Sequence, residues 1–127
     1  MKAMYKFKLQ ILAAGALFAA AGAHADGDAA RGKQLFEECA ACHSLEGGAQ
    51  GVGPSLKGVF GRKAGELAEF RYSPAMKKSG IAWTEKTMDA FVADPQNEIK
   101  GNRMPFSGMP DVRARSDLIA YLREAAK

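Results

Sequence analysis

The chain has 127 residues, with 18 basic against 14 acidic side chains and a formal net charge of +4, a length that suits one domain. Lys2, Lys6 and Lys8 stand at the extreme N-terminus and no acidic residue precedes Asp26, so from Asp26 onward the balance is 15 against 14, a net charge of +1. That balance gives no support for a nucleic-acid-binding function, and a chain of about 100 residues buries only a modest core.

The first 25 residues read differently from the rest. The lysine-bearing start is followed by LQILAAGALFAAAGA and then by Ala23-His24-Ala25, the charged, apolar and small-x-small regions of a secretory signal peptide. The reading is a signal peptide over residues 1–25, cut after Ala25, and a domain over 26–127 that is exported to the periplasm. The alternative is a retained membrane anchor, against which the apolar run is short of the ~20 residues that cross a bilayer. Beyond Ala25 the only histidine is His43, and four methionines remain, Met76, Met88, Met104 and Met109.

Asp28 is placed to cap a first helix running to about Cys42, with Ala29, Gly32, Leu35, Phe36 and Cys39 at helical spacing. YSPAMKKSG allows one short helical turn. Thr84 is placed to cap a second helix, EKTMDAFVAD, which Pro95 stops. Asp111 or Ser116 starts a third, ending near Ala125, with Leu118, Ile119, Tyr121 and Leu122 on its apolar face. Strand signals are weak, and there is no internal repeat. Two long irregular stretches, GGAQGVGPSLKGVFGRKAGELAEFRYS and NEIKGNRMPFSGMPD, are rich in glycine and proline. Loops of that length in so small a domain point to wrapping around something that is not protein.

Both cysteines and His43 fall within CAACH, Cys39 to His43. A structural zinc site takes four protein ligands, and the chain has too few soft ones. A thiol–disulfide motif wants a βαβ setting, which is missing here, and a plain structural disulfide is a further alternative. C-x-x-C-H is the haem c attachment pattern. One helical turn puts Cys39 and Cys42 on the same face to form thioethers, and His43 follows in reach of the iron. For the second axial position Met88 reads as core and Met76 as core or loop. Met104 leads because it lies in GNRMPFSG, where Pro105 biases it toward extended backbone, and Met109, in GMP, is the runner-up. His/Met ligation raises the haem potential and fills both axial sites, which favours electron transfer over oxygen chemistry. No Ser-His-Asp set, phosphate loop or paired carboxylate array suggests other catalysis.

GDAARGKQLFEECAACH, GVGPSLKGVFGRKAG, FRYSPAMKKSGIAW and RSDLIAYL, in that order, resemble class I cytochrome c, both mitochondrial cytochrome c and its soluble short-chain bacterial relatives, over almost all of residues 27–125. The resemblance implies an all-α fold of helices and long loops wrapped around one covalently attached haem c. It implies His43 and Met104 as iron ligands, Cys39 and Cys42 as thioether anchors, and the Pro54 carbonyl against the other nitrogen of His43. It places Arg62, Tyr72 and Trp83 around the inner haem propionate, with Ser73 and Asn102 as further polar groups there. It also accounts for Gly32, costly inside a helix, as the point where the first and last helices cross, with Phe36 meeting Leu118 and Tyr121.

The chain departs from the family's pattern in places. Lys100 replaces the usual proline before the ligand-loop glycine, an expected loosening of that loop. Phe91 replaces a common tyrosine near the methionine sulfur, and Met76 a common asparagine. Glu38, Gln96, Asn97 and Asp111 stand where lysine is common in mitochondrial members, so weaker electrostatic steering is expected. The function implied is a monomeric, non-enzymatic periplasmic one-electron carrier that docks transiently on respiratory or photosynthetic membrane redox complexes or periplasmic redox enzymes. The alternatives are a dedicated electron-accepting subunit of a periplasmic dehydrogenase and a haem peroxidase-like enzyme.

Overall fold

The structure is a computed structural model that describes residues 26–48 and 51–127. The signal-peptide segment, residues 1–25, lies outside the described residues. Five helices follow one another: α1 (Ala29–Ala40), α2 (Pro74–Lys78), α3 (Glu85–Ala93), α4 (Pro95–Glu98) and α5 (Val112–Ala125). The described residues form no strand. A single antiparallel bridge joins Lys63 and Ala82, flanked by Ala64 N–H to the Ile81 carbonyl at 2.8 Å and Trp83 N–H to the Arg62 carbonyl at 2.9 Å. This short ribbon brings Arg62 and Trp83 side by side.

Local chemistry explains the helix ends. The Asp28 carboxylate accepts from the N–H groups of Ala30 and Arg31, satisfying two of the free donors of the first turn of α1. The helix ends at Ala40, two residues before the expected Cys42. The N–H groups of Cys42 and His43 both turn back to the Cys39 carbonyl, at 3.0 and 2.8 Å, which tightens the last turn and directs the histidine out of the helix. Thr84 caps α3, with Thr87 returning the bond as the second half of a capping box. Pro95 stops α3 as expected but also begins α4. Asp94 caps that short helix through the Asn97 N–H, and a proline at the first helical position has no N–H to leave unsatisfied. Asp111, rather than Ser116, caps α5.

The main helix contact is α1 against α5. Two glycines allow it: a Cβ on Gly27 or Gly32 would overlap the Ser116 or Asp117 carbonyl respectively. Asp117, 4 % exposed, ties the crossing together. Its carboxylate accepts the Asp28 N–H at 2.6 Å and pairs with Arg31 at 2.9 Å. Next to it Phe36 and Tyr121 stack with ring centroids 5.4 Å apart. The buried side chains Phe36, Val59, Trp83, Met88, Phe91, Ile99, Leu118 and Leu122 form one cluster, and most of them also face the cavity described next.

Candidate haem site

A cavity of about 450 Å³ opens between the α1–α5 crossing, α3 and the two long loops, within the range of small-molecule and cofactor sites. Its lining is mostly apolar: Phe36, Leu56, Val59, Met76, Met88, Phe91, Val92, Leu118 and Leu122 contribute, so the helix core doubles as the cavity wall. The end of α1 supplies Cys39, Cys42 and His43. The first loop supplies Pro54, Arg62, Tyr72 and Ser73, the segment before α3 supplies Trp83, and the last loop supplies Met104. Asn102 is not among the lining residues.

The histidine is held from two sides. The Gly53 N–H donates to the Cys42 carbonyl at 2.9 Å, laying the next residues across the ring. A Cβ on Gly53 would come within 2.6 Å of the ring carbon Cε1 and 2.8 Å of Nδ1, so only glycine lets the backbone lie there. His43 Nδ1 and the Pro54 carbonyl oxygen are 2.7 Å apart. A carbonyl only accepts, so Nδ1 carries the proton and Nε2 keeps its lone pair. Burial holds the His43 pKa below its ordinary value; the Pro54 bond opposes that shift and the Arg62 charge adds to it. The ring is thus a neutral, oriented donor, the form a metal-ligating histidine takes.

Both cysteines are free thiols and half-buried. Burial, and next the carboxylate of Glu38, push the Cys39 thiol up. This is the opposite of the depressed pKa of a thiol–disulfide exchange cysteine, and it disfavours that alternative. Among the described residues no group of three or more His, Cys, Asp or Glu side chains is placed to hold a metal ion by itself. The donor set instead fits a metal that arrives in its own macrocycle: two thiols, one neutral imidazole and the thioethers of Met76, Met88 and Met104 around a large apolar hollow, with Met109, the runner-up in the sequence, not among the lining residues.

The polar residues divide into two groups. Arg62 donates to the Ser55 carbonyl at 2.8 Å and the Lys57 carbonyl at 3.1 Å, holding its guanidinium at the wall. Tyr72 has its phenol pKa raised by burial, against the pull of Arg62 and of a backbone hydrogen bond from Leu67, and its ring meets Phe70 edge-on at 4.9 Å. Ser73 caps α2 through the Met76 N–H. Trp83 packs edge-on against Phe91 at 5.1 Å, so the phenylalanine in place of tyrosine serves as a wall of the tryptophan.

Asn102 stands apart. Its amide donates to the Pro95 and Ile99 carbonyls at 2.8 and 2.9 Å, and its side-chain oxygen accepts the Met104 N–H at 2.9 Å. Each of these bonds goes to backbone, and what the side-chain oxygen orients is the peptide of Met104. Gln96, read from the sequence only as a missing surface lysine, donates to the Asn102 carbonyl at 3.0 Å. The readable signal was local: an asparagine in a turn-rich segment can accept the N–H two residues on, here that of Met104, as in an Asx-turn.

The whole-chain comparisons agree with this geometry. The family model described as Cytochrome c matches residues 29–126. The chain belongs to the cytochrome c family. It is 45 % identical over 119 residues to the cytochrome c2 of Blastochloris viridis, covering 93 % of this chain and 90 % of that one. It is 46 % identical over 99 residues to the cytochrome c of Tetrahymena pyriformis, covering 77 % and 89 %. Among solved structures, cytochrome cH from Methylobacterium extorquens superposes with a TM-score of 0.72 at 45 % identity, covering 76 % of this chain and 98 % of that one. The cofactor of the family is covalently bound haem c with its iron, and the CAACH cysteines and the cavity fit it. The class I cytochrome c fold expected from the sequence is the fold observed.

Proposed function

We propose that this cytochrome c is an exported one-electron carrier without enzymatic activity, in which Cys39 and Cys42 hold the haem and His43 and Met104 are its iron ligands. The observation that carries the reading is the placement of His43 and the two thiols on one apolar cavity with Met104, which among the lining methionines Met76, Met88 and Met104 is the one set in a proline-bearing loop. When bound, haem c supplies a one-electron iron couple. The chain's own residues do the rest. The Pro54 carbonyl fixes the imidazole, Asn102 aims the Met104 peptide, and the apolar wall from Phe36 to Leu122 keeps water from the centre. With His43 and Met104 both holding the iron, no site would remain there for a substrate. Arg62, Tyr72, Ser73 and Trp83 are the polar wall suited to the propionates.

The first 25 residues are read as a cleaved signal peptide that delivers residues 26–127 to the periplasm. Among the described residues no helix is long and apolar enough to cross a membrane. The partners are membrane redox complexes or periplasmic redox enzymes, met by transient docking of a monomer. A reduced-minus-oxidised spectrum of the periplasmic fraction, followed through a redox titration, tests the reading. The expected result is a single low-spin haem c with a methionine–iron band in its ferric form and one-electron behaviour. A high-spin spectrum, or ready CO binding by the reduced protein, would instead support the peroxidase-like alternative. A native mass showing permanent association with a dehydrogenase would support the subunit alternative.

A further inference from the structure

Arg115 is the buried arginine among the described residues, 7 % exposed within α5. A buried guanidinium requires partners for its donors, and these come from two other parts of the fold. Nε and Nη2 donate to the Asp89 carboxylate of α3 at 2.8 and 3.4 Å. Nη1 donates to the carbonyls of Met109 and Pro110, both at 2.9 Å. The Met109 N–H in turn donates to the Val92 carbonyl at 2.8 Å, and a Cβ on Gly108 would overlap the Ala93 carbonyl. The downstream end of the methionine loop is therefore fastened directly to the end of α3 at Val92 and Ala93, and through Arg115 to Asp89 in the middle of that helix. The upstream end is fastened by Asn102 and Gln96. Between these fastenings the backbone contact is Phe106 N–H to the Met104 carbonyl at 2.9 Å, so the position of Met104 depends on the two ends.

We propose that Arg115 is a positioning residue for the axial methionine: its three-way clamp to Asp89 and to the Met109 and Pro110 carbonyls holds the loop closed, so that Met104 outcompetes outside ligands for the iron. This rests on Met104 being the iron ligand. A planar fork reaches a carboxylate and two carbonyls at once, which an ammonium cannot do in the same geometry. Losing it leaves two carbonyls and a carboxylate without their shared donor, and the open-loop population rises. A ligand that binds only the open form gains apparent affinity in proportion to that population.

The test is imidazole titration of the ferric holoprotein, following loss of the methionine–iron band, with the reduction potential and thermal melt of each variant. Arg115→Gln is expected to bind imidazole about tenfold more tightly than wild type and to show a lowered potential, because weaker sulfur ligation removes what raises it. Arg115→Lys, with charge but no fork, should resemble Arg115→Gln. Asp89→Asn, which leaves the two carbonyl bonds, should show a smaller gain and serves if Arg115→Gln does not accumulate. Asp117→Asn loosens the α1–α5 crossing without touching the loop, so it should lower the melt and leave imidazole affinity unchanged. The proposal is overturned if the Arg115 and Asp89 variants stay within roughly twofold of wild type, or if Asp117→Asn shifts imidazole affinity equally. A wild-type band that is absent from the start overturns the Met104 assignment itself, and the proposal with it.

Discussion

Gly32 of α1 lies against the Asp117 carbonyl of α5 so closely that any Cβ on Gly32 would overlap that oxygen, and Tyr121 Cβ would be 2.8 Å away. Two effects oppose each other there. Replacing a mid-helix glycine by alanine favours the helix by up to about 1 kcal/mol. Overpacking a tight contact costs about 1–3 kcal/mol or more, and an overlap with backbone has no rotamer that relieves it. The clash wins. Gly32→Val is expected to lower the holoprotein's melting temperature by about 10 °C, taking some 4–8 °C per kcal/mol for a domain of this size. An unchanged thermal melt would remove the close crossing as the reason for the glycine.

The same crossing predicts an acid sensitivity. The Asp28 N–H, and next the Arg31 guanidinium, hold the Asp117 carboxyl below the usual carboxylate range, against the opposing effect of burial. A group whose folded pKa is depressed contributes stability above its unfolded pKa and loses it as pH falls through the folded one. The contribution is therefore present at neutral pH and disappears below about pH 4, the ordinary aspartate region. Asp117→Asn should lower the melt at neutral pH and narrow its difference from wild type in acid. Parallel melt-against-pH curves for the two proteins would contradict this.

How much of this was readable in the sequence follows the range of each interaction. Asp28, Thr84 and CAACH act on neighbours within a few residues, and the sequence places them correctly. The restart at Pro95 was also local, an aspartate–proline pair fit to cap and begin a helix, yet proline was read only as a stop. Arg115 and Asp89 were beyond local reading, because a charged residue on a helix is ordinarily solvated and only the packing of α5 on α3 brings these two together. Asn102 shows what the resemblance left unsaid. The family's pattern assigns the position to the haem's polar surroundings, and the structure adds hydrogen bonds between this side chain and the backbone of Pro95, Ile99 and Met104.

The fit of Gly53 under the histidine ring gives a prediction at the site. In Gly53→Ala the new methyl group would stand 2.6 Å from His43 Cε1, so the ring must shift or the Pro54 loop must lift, straining the 2.7 Å bond to Nδ1. That bond makes the imidazole a better donor, and a better donor favours ferric iron. The expected outcome is a raised reduction potential with a loss of stability of about 1–3 kcal/mol. Gly47→Ala is the control, since among the described residues its Cβ would meet the flexible Lys57 side chain, nearest at Cδ, 3.3 Å away. A potential that moves equally in both variants would show that the ring bond is not the cause.

The last prediction concerns partners. Residues 26–127 carry a net charge of only +1, and the cavity lining includes both signs, Glu38 as well as Arg62, Arg71 and Arg103. Val52, in the same lining, is 73 % exposed, offering apolar surface where a charged rim would otherwise steer. Strong electrostatic steering speeds association by about 10–10³-fold and collapses with salt. A mixed, nearly neutral face gains little from it and loses little when screened. Electron transfer to an acidic membrane complex is therefore expected to slow by less than about tenfold between low and physiological ionic strength. Stopped-flow oxidation of the reduced protein across a salt series measures this. A steep fall would mean that Lys33, Lys57, Lys63, Lys77, Lys78 and Arg103 act together as a steering field despite the acidic groups among them, and would return the docking mode to that of a strongly basic carrier.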